Sequence, residues 1–349
     1  MESFAFWYSK NPDKGSQELE ATLNFNLWYE CGWKSGNTDP VLDIGFKVSY
    51  LSHATKLYFF VPFCIAQEEK NSTISDLGCK FNKTELVDAL FNESYKTTIS
   101  ANSKVIVVQN LSSAKKPSKD WFYIYQLDID HDIELEQFAN GTIIKIGTEN
   151  LLSSPNIDKK HGPDTYYLRF RIHHKDLTYM IHQYTPPHSP LFGPFDSTYM
   201  IDFRYHNVRS LDKTLIEEFY RPGNSIVRVN SLHFLLMTKA YIDVQSQHIA
   251  NVRKLETDVW CDYIDRTNPC ELEDILAYHH ALKPKSSSSD PEEISFLSSA
   301  EVFLKIKKSR SKLLPYIACT VFLAWISSIV GEKVLFPLLC SIIRGIVGQ

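Results

Sequence analysis

The chain has 349 residues, of which 44% are apolar and 22% are charged. This composition is typical of a folded globular protein, and it excludes a wholly disordered chain, a collagen and a low-complexity scaffold. The net charge is −4, but the last 50 residues carry +5 and the first 299 carry −9. An acidic body is a poor bulk binder of nucleic acid, because affinity for phosphate comes mainly from Lys and Arg. Residues 151–230, with ten basic and eight acidic side chains, leave a local basic site open.

The first twenty residues lack a basic segment followed by a long apolar run, so we expect no secretory signal. The seven cysteines are scattered without a CxxC pair. We therefore expect reduced thiols and a cytosolic location for the N-terminal part of the chain.

Alternation of apolar and polar residues recurs through residues 20–240 and predicts strands. Few helical stretches separate them, so we expect a mainly β fold, a sandwich or a barrel, rather than an α/β sheet. The predicted strands are residues 23–28, 42–50, 56–63, 104–109, 121–127, 142–147, 166–173, 198–205 and 226–237.

Helical patterns are predicted at residues 83–90, 211–219, 249–260 and 271–282. We therefore expect a β-rich cytosolic sensing domain, a helical segment, a linker rich in Ser and Pro, a basic juxtamembrane helix, and a transmembrane helix or hairpin. Their predicted bounds are residues 1–240, 241–282, 283–295, 296–312 and 313–349.

Two segments of the predicted sheet carry charged side chains on alternate residues. Residues 127–136, LDIDHDIELE, would place five carboxylates on one strand face. This face is either a cation site or acidic docking edge, or a solvated strand edge whose charge prevents aggregation. Residues 166–175, YYLRFRIHHK, would place two arginines beside an aromatic ring. Such a face is either an anion or nucleotide platform or an exposed face with salt bridges. The candidate ligand-binding residues are Tyr167, Arg169, Arg171, His173, Arg204 and Arg209, the last two only if their strand is adjacent.

Signatures of catalysis and of metal binding are missing from the sequence. There is no GxGxxG, GxxxxGK[ST], GxSxG or HExxH motif. The pairs His173-His174 and His279-His280 lack zinc-ligand spacing, and we interpret them as surface histidines. We therefore expect no enzyme, no catalytic residue, no cofactor and no metal.

The C-terminal part contains 18 residues without a charge, from Leu313 to Val330, followed by a second apolar piece. As a helix the first run is about 27 Å long, close to the thickness of a hydrocarbon core. It predicts one span with an interfacial segment, or a tight hairpin; the alternative is a buried hairpin of a soluble core. Five basic residues before it would contact lipid head groups and keep the body in the cytoplasm: Lys305, Lys307, Lys308, Arg310 and Lys312.

Polar side chains recur along the first apolar run. Tyr316, Thr320 and Ser327 lie near one face of a helix, although Leu323 interrupts the stripe. Such a stripe lines a pore if several copies associate, or holds helices together by hydrogen bonds; an anchor needs neither.

The layout of a cytosolic sensing body, a linker and one or two C-terminal spans resembles the membrane effectors of bacterial anti-phage defence systems, in particular the Hailong type. The resemblance covers layout over the whole chain and transfers no residue. It implies a homo-oligomeric ion channel or pore in the inner membrane, gated by a nucleotide or single-stranded oligonucleotide from a partner nucleotidyltransferase. The alternative function is a tail-anchored adaptor whose β domain binds a protein partner.

Overall fold

Residues that alternate between apolar and polar form most of the strands, as expected from the period of two of a β-strand. The computed structural model describes residues 3–31, 39–99, 104–111, 121–153, 164–184, 196–246, 248–264, 272–284, 296–309, 313–330, 333 and 336–347. The predicted linker at 283–295 lies almost wholly outside the described residues.

Within these residues the chain is mainly β. The strands are β1 Ala5–Lys10, β2 Glu20–Trp28, β3 Val41–Ser49, β4 Ala54–Val61, β5 Ile74–Asp76, β6 Tyr95–Ile99, β7 Val105–Asn110, β8 Trp121–Tyr125, β9 Ile133–Phe138, β10 Gly141–Gly147, β11 Thr165–His173, β12 Ile181–Tyr184, β13 Asp196–Tyr205, β14 Asn224–Ile226, β15 Arg228–Lys239, β16 Ile242–Gln245, β17 Asn251–Lys254, β18 Ile275–Leu282 and β19 Ala300–Ser309. The helices are α1 Lys70–Thr73, α2 Thr84–Phe91, α3 Ile129–Asp132, α4 Thr148–Ser153, α5 Lys213–Phe219, α6 Thr257–Tyr263, α7 Leu313–Val330 and α8 Phe336–Val347.

The strands form three sheets. The ten-stranded sheet has the order β17-β18-β15-β2-β3-β11-β8-β7-β6, and β5 also pairs with β11. The five-stranded sheet has the order β14-β1-β4-β10-β9, and the four-stranded sheet the order β12-β13-β19-β16. Most neighbours are antiparallel, but β15 runs parallel to β2, and β11 to β8.

Aromatic side chains fill the space between the sheets. Phe46 of the ten-stranded sheet stacks on Phe6 of the five-stranded sheet, with ring centroids 4.7 Å apart. Phe25 meets Phe203 of the four-stranded sheet at the same centroid distance. Such ring pairs stabilise a core by about 0.5–1.5 kcal/mol each beyond the area that they bury. The other face of the ten-stranded sheet is covered in part by α2 and α6, which bury Trp260.

The nine predicted strands and the helices near α2 and α5 are confirmed, but two predicted helices are wrong. Residues 275–282 form β18 and residues 300–309 form β19. The helix predicted at 249–260 is wrong in its first half, where residues 251–254 form β17, and only its end overlaps α6. In β19, Val302, Leu304 and Ile306 are buried while the residues between them are exposed or half-buried. This period of two stabilises a strand, because its apolar side chains reach one face of the sheet. In the predicted helical segment 241–282, α6 is the one helix among the described residues.

The acidic row at residues 127–136 is not one strand. Asp128 caps α3, and its carboxylate accepts hydrogen bonds from the backbone N–H groups of Asp130 and His131. Capping stabilises a helical turn here, so the extended chain begins only at Ile133. The carboxylates therefore do not share one strand face.

Contacts within the chain divide it into two units. The first, Met1–Gln183 with Tyr199–Ile306, holds most of the sheets, and the second, Tyr184–Thr198 with Lys307–Gln349, contains α7 and α8. Every described side chain of α7, residues 317–330, is exposed. Among the described residues, no helix combines the length and the apolar character needed to cross a membrane.

Candidate functional site

Strand β11 places Tyr167, Arg169 and Arg171 on one face of the ten-stranded sheet, as predicted, but this face is not open. Tyr167 and Arg169 are 0% exposed and Arg171 is 2% exposed. Tyr263 of α6 lies over both guanidinium groups. Its ring centre is 5.6 Å from Arg169 Cζ and 5.1 Å from Arg171 Cζ. The expectation of an accessible arginine platform is therefore corrected: α6 covers the arginines, and they form a buried network.

Asp43 is the centre of this network. Strand β3 pairs with β11 in a register that sets Asp43 opposite Arg171. Arg171 donates from Nε to Oδ1 at 2.6 Å and from Nη2 to Oδ2 at 3.1 Å. Trp28 Nε1 and the Tyr263 hydroxyl also donate to Oδ2, at 2.8 Å and 2.7 Å. A buried carboxylate needs such a full set of donors to offset its loss of hydration.

Arg169 is held mainly by neutral oxygens. Its Nε donates to the Tyr263 hydroxyl at 2.6 Å, and its Nη1 to the Tyr167 hydroxyl at 2.8 Å. Its Nη2 lies 2.8 Å from the amide oxygen of Asn26 when that amide is oriented by its hydrogen bonds, and 3.8 Å from Asp43 Oδ2. Two guanidinium groups thus contact one carboxylate, and these three groups carry a net charge of +1.

The ionisation of the network follows from these contacts. Burial raises the pKa of Asp43, but the charges of Arg171 and Arg169 outweigh burial and hold that pKa below its usual value. Burial likewise raises the pKa of Tyr167 and of Tyr263. Both phenols are therefore neutral at pH 7, so they do not neutralise the guanidinium groups.

The other predicted ligand residues lie apart from this network. Arg204 is on β13 in the four-stranded sheet, where it is half-buried and donates to both oxygens of Asp202, at 3.1 Å and 2.7 Å. Arg209 is exposed just beyond β13, and His173 is half-buried at the end of β11. The extension of the patch through Arg204 and Arg209 is therefore wrong, because β13 and β11 belong to different sheets.

Beside the buried network, the same face of the ten-stranded sheet opens into a cavity of about 320 Å³. We name it the sheet cavity. Strands β3, β2, β15, β18 and β17 form its floor, and the end of α2 and the start of β6 form its opposite wall. The lining residues are Thr22, Asn24, Asn26, Lys47, Leu90, Phe91, Asn92, Glu93, Tyr95, Ser231, His233, Leu235, Asn251, Arg253 and His279.

The sheet cavity touches the buried network through Asn26. The side chain of Asn26 is 0% exposed, lines the cavity and contacts Arg169. Asn24, 6% exposed, lies two residues earlier on β2 and donates to the Tyr167 hydroxyl at 3.5 Å. A cavity of this size is at the lower end of the range for small-molecule sites.

Two histidines form a pair in the floor of the cavity. His233 Nδ1 lies 3.0 Å from His279 Nε2, and the rings are stacked with centroids 5.2 Å apart. Burial lowers the pKa of His233 to about 4, with smaller contributions from His279 and Lys283. Burial also lowers the pKa of His279. Both rings are therefore neutral at pH 7. The interpretation of His279-His280 as surface histidines is wrong for His280, which is 3% exposed, whereas His279 is half-buried at the cavity.

Parts of this site had signals in the sequence. The lone acidic residue of the apolar strand VLDIGFKVS is Asp43, and buried carboxylates are uncommon unless they are paired. Thr22, Asn24 and Asn26 alternate with apolar residues on β2. No sequence pattern indicated Tyr263, because α6 reaches the site only through the tertiary fold.

The remaining predicted residues lie on the C-terminal elements. Lys305, Lys307 and Lys308 are on β19, while Arg310 and Lys312 lie outside the described residues. Thr320 and Ser327 are exposed on α7; Tyr316 is also on α7, but its side chain lies outside the described part. Within the described part of the chain, no group of three or more His, Cys, Asp or Glu side chains could hold a metal ion.

No protein-family model matches this chain, and no curated protein matches its sequence.

Proposed function

We propose that this chain is a membrane effector whose C-terminal helices act in the inner membrane of a bacterium. In this proposal the β-rich body lies in the cytoplasm and binds a controlling ligand, and several copies associate to form a pore. The proposed setting is anti-phage defence, and a nucleotide or oligonucleotide made by a partner nucleotidyltransferase is the proposed signal.

The observation that carries the membrane part is the exposed apolar surface of α7. Its exposed side chains include Val321, Phe322, Leu323 and Trp325, each 57–62% exposed. Apolar residues occur on every side of this helix, whereas the surface helix of a globular domain has one apolar and one polar face. Contiguous apolar surface of this kind marks a site of contact with a membrane or another protein. Lipid can cover all sides of α7 at once.

A tail-anchored adaptor is the second candidate. The Thr320 hydroxyl donates to the backbone oxygen of Ile317 at 2.9 Å. A hydroxyl that is satisfied within its own helix needs neither water nor a pore, so Thr320 is compatible with lipid on all sides. This contact favours an anchor over a pore-lining face.

Replacement of Leu313–Val330 by eighteen leucines in the full chain distinguishes the two candidates. Membrane potential is measured in bacteria that express the wild-type or the poly-Leu chain, together with the neighbouring genes and a phage trigger. A pore requires depolarisation by the wild-type chain and its loss in the poly-Leu chain. If the chain is an adaptor, the wild-type and the poly-Leu chains should protect the bacteria against phage equally well.

A further inference from the structure

We propose that the sheet cavity binds a small anion that carries phosphate or carboxylate groups. This inference names the chemistry of the controlling ligand, and it depends on the proposed function only for the role of that ligand in control. Binding itself is a property of the β-rich body.

The charges around the cavity favour an anion. Lys47 lies on the floor at one side, where its Nζ is 4.1 Å from the ring centre of Phe122, and Arg253 lies on β17 at the other side. The order β3-β2-β15-β18-β17 separates these two strands by four spacings, or about 19 Å. The two cations therefore flank a trough rather than forming one point of charge.

The acidic group of the lining is already engaged. Glu93 Oε2 accepts hydrogen bonds from the Tyr95 hydroxyl at 2.9 Å and from Asn110 Nδ2 at 2.6 Å. The carboxylate of Glu93 is therefore bound by Tyr95 and Asn110, on its own side of the cavity. A site for a cation would instead need several carboxylate or carbonyl oxygens that converge on one point.

The buried network adds positive potential beneath the floor. Asp43, Arg169 and Arg171 together carry +1, and Arg169 contacts Asn26 in the cavity wall. Charges that are removed from water are screened little, so their potential reaches the adjoining cavity. With Lys47, Arg253, Glu93 and Glu256, which lies 3.8 Å from Arg253, the seven groups sum to +1.

Hydrogen-bond donors are available to hold the oxygens of an anion. Arg253 has five N–H donors; Nη2 donates to the backbone oxygen of Ala89 at 2.8 Å, and Nη1 lies 3.8 Å from Glu256. The hydroxyls of Thr22 and Ser231 lie along the trough between the two cations; the Ser231 hydroxyl donates to Thr22 Oγ1 at 3.4 Å and lies 3.2 Å from His233 Nε2. Hydrogen bonds from the Arg253 guanidinium to an anion are charge-assisted and are about twice as strong as bonds between neutral groups. A molecule with one anionic group near Lys47 or Arg253 and a polar body over β2 and β15 fits this arrangement.

The test is isothermal titration calorimetry of the purified full chain in detergent, with inorganic pyrophosphate in one series and citrate in another. The two series separate phosphate from carboxylate chemistry. We expect binding in at least one series, a loss of affinity of about tenfold or more in K47M or in R253Q, whichever cation holds the anionic group, and no change in K56M. Lys56 lies on β4 of the five-stranded sheet and does not line the cavity; its side chain is 38% exposed and is paired with Glu134 of the same sheet, so it is the matched control.

Methionine keeps the apolar stem of Lys47 over Phe122, so K47M isolates the loss of charge. Thermal melting of each variant checks that the body remains folded. Absence of binding in both series at millimolar concentrations would overturn the inference, as would equal affinity in the wild type and both cavity variants. Neither result bears on the membrane proposal, which the membrane-potential experiment tests separately.

Discussion

Replacement of Asp43 by Asn tests the buried network most severely. The carboxylate accepts four hydrogen bonds, two from Arg171 and one each from Trp28 and Tyr263, at 2.6–3.1 Å. Asparagine keeps the shape but removes the charge, and it turns an NH2 group toward donors. Two guanidinium groups then stay buried without their carboxylate. Removal of one partner from a buried pair typically costs about 3–5 kcal/mol of unfolding free energy.

The assay is thermal melting of the full chain in detergent, followed by tryptophan fluorescence. At about 2–3 °C per kcal/mol for a large domain, D43N should melt roughly 6–15 °C below the wild type. E134Q is the control, because Glu134 is 61% exposed and its pair with Lys56 lies at the surface. Such pairs contribute about 0–1 kcal/mol. A D43N chain that melts within about 2 °C of the wild type would refute the reasoning.

The double variant D43N/R171M separates loss of charge balance from loss of shape. Removal of one guanidinium with the carboxylate restores the number of buried unpaired charges to one, so the double variant should be more stable than D43N alone.

The pH dependence of the contribution of Asp43 to stability has a definite sign. Because the folded-state pKa of Asp43 is lowered, its contribution is present at neutral pH and is lost as the pH falls through that lowered value.

Three further changes probe individual positions by the same melting assay. A Cβ on Gly45 would lie 2.3 Å from the Tyr167 hydroxyl oxygen, whereas a Cβ on Gly147 meets nothing within 4 Å. The variant G45A should therefore lose about 1–3 kcal/mol of unfolding free energy and G147A almost nothing. Equal melting of the two variants would contradict the close packing at β3. Burial lowers the pKa of His206 to about 4, so protonation of this ring should cost the wild type roughly 3 kcal/mol between pH 6.5 and pH 4. The variant H206N tolerates the φ of +49° and should lose that much less over the same range, and parallel pH profiles would refute this. Y263F removes a hydroxyl that donates to the carboxylate and accepts from a guanidinium, and it should cost about 2–3 kcal/mol; a loss below about 0.5 kcal/mol would show that this hydroxyl does not bridge the network.

The strands were predictable where apolar and polar side chains alternate along the chain, even where the polar face is itself buried. Strands β2, β3 and β11 alternate clearly, and the face shared by Tyr167, Arg169 and Arg171 was predicted correctly. Strands β18 and β19 were mistaken for helices, because their short apolar runs also fit a helical period. The turn at α3 was missed because Asp128 was assigned to a strand face instead of a helix cap.

The burial of the arginines was not predictable from the strand pattern. Arg171 meets Asp43, 128 residues earlier in the chain, and Arg169 meets Tyr263, 94 residues later. A strand pattern tells which side chains share a face, but it does not tell which distant element covers that face. The sheet cavity depends on the same non-local contacts, since six strands and the end of α2 line it.

The most direct test of the membrane proposal is the partition of the full chain between membrane and soluble fractions of expressing bacteria after an alkaline wash. The matched variant replaces Leu323 and Ile326 by Asp, which places two charges in the middle of α7. Each charge costs about 2.5–3.5 kcal/mol at the centre of a membrane helix. We expect the wild-type chain to stay with the membrane and the L323D/I326D chain to move to the soluble fraction. A wild-type chain that washes into the soluble fraction would contradict the proposal that lipid covers α7.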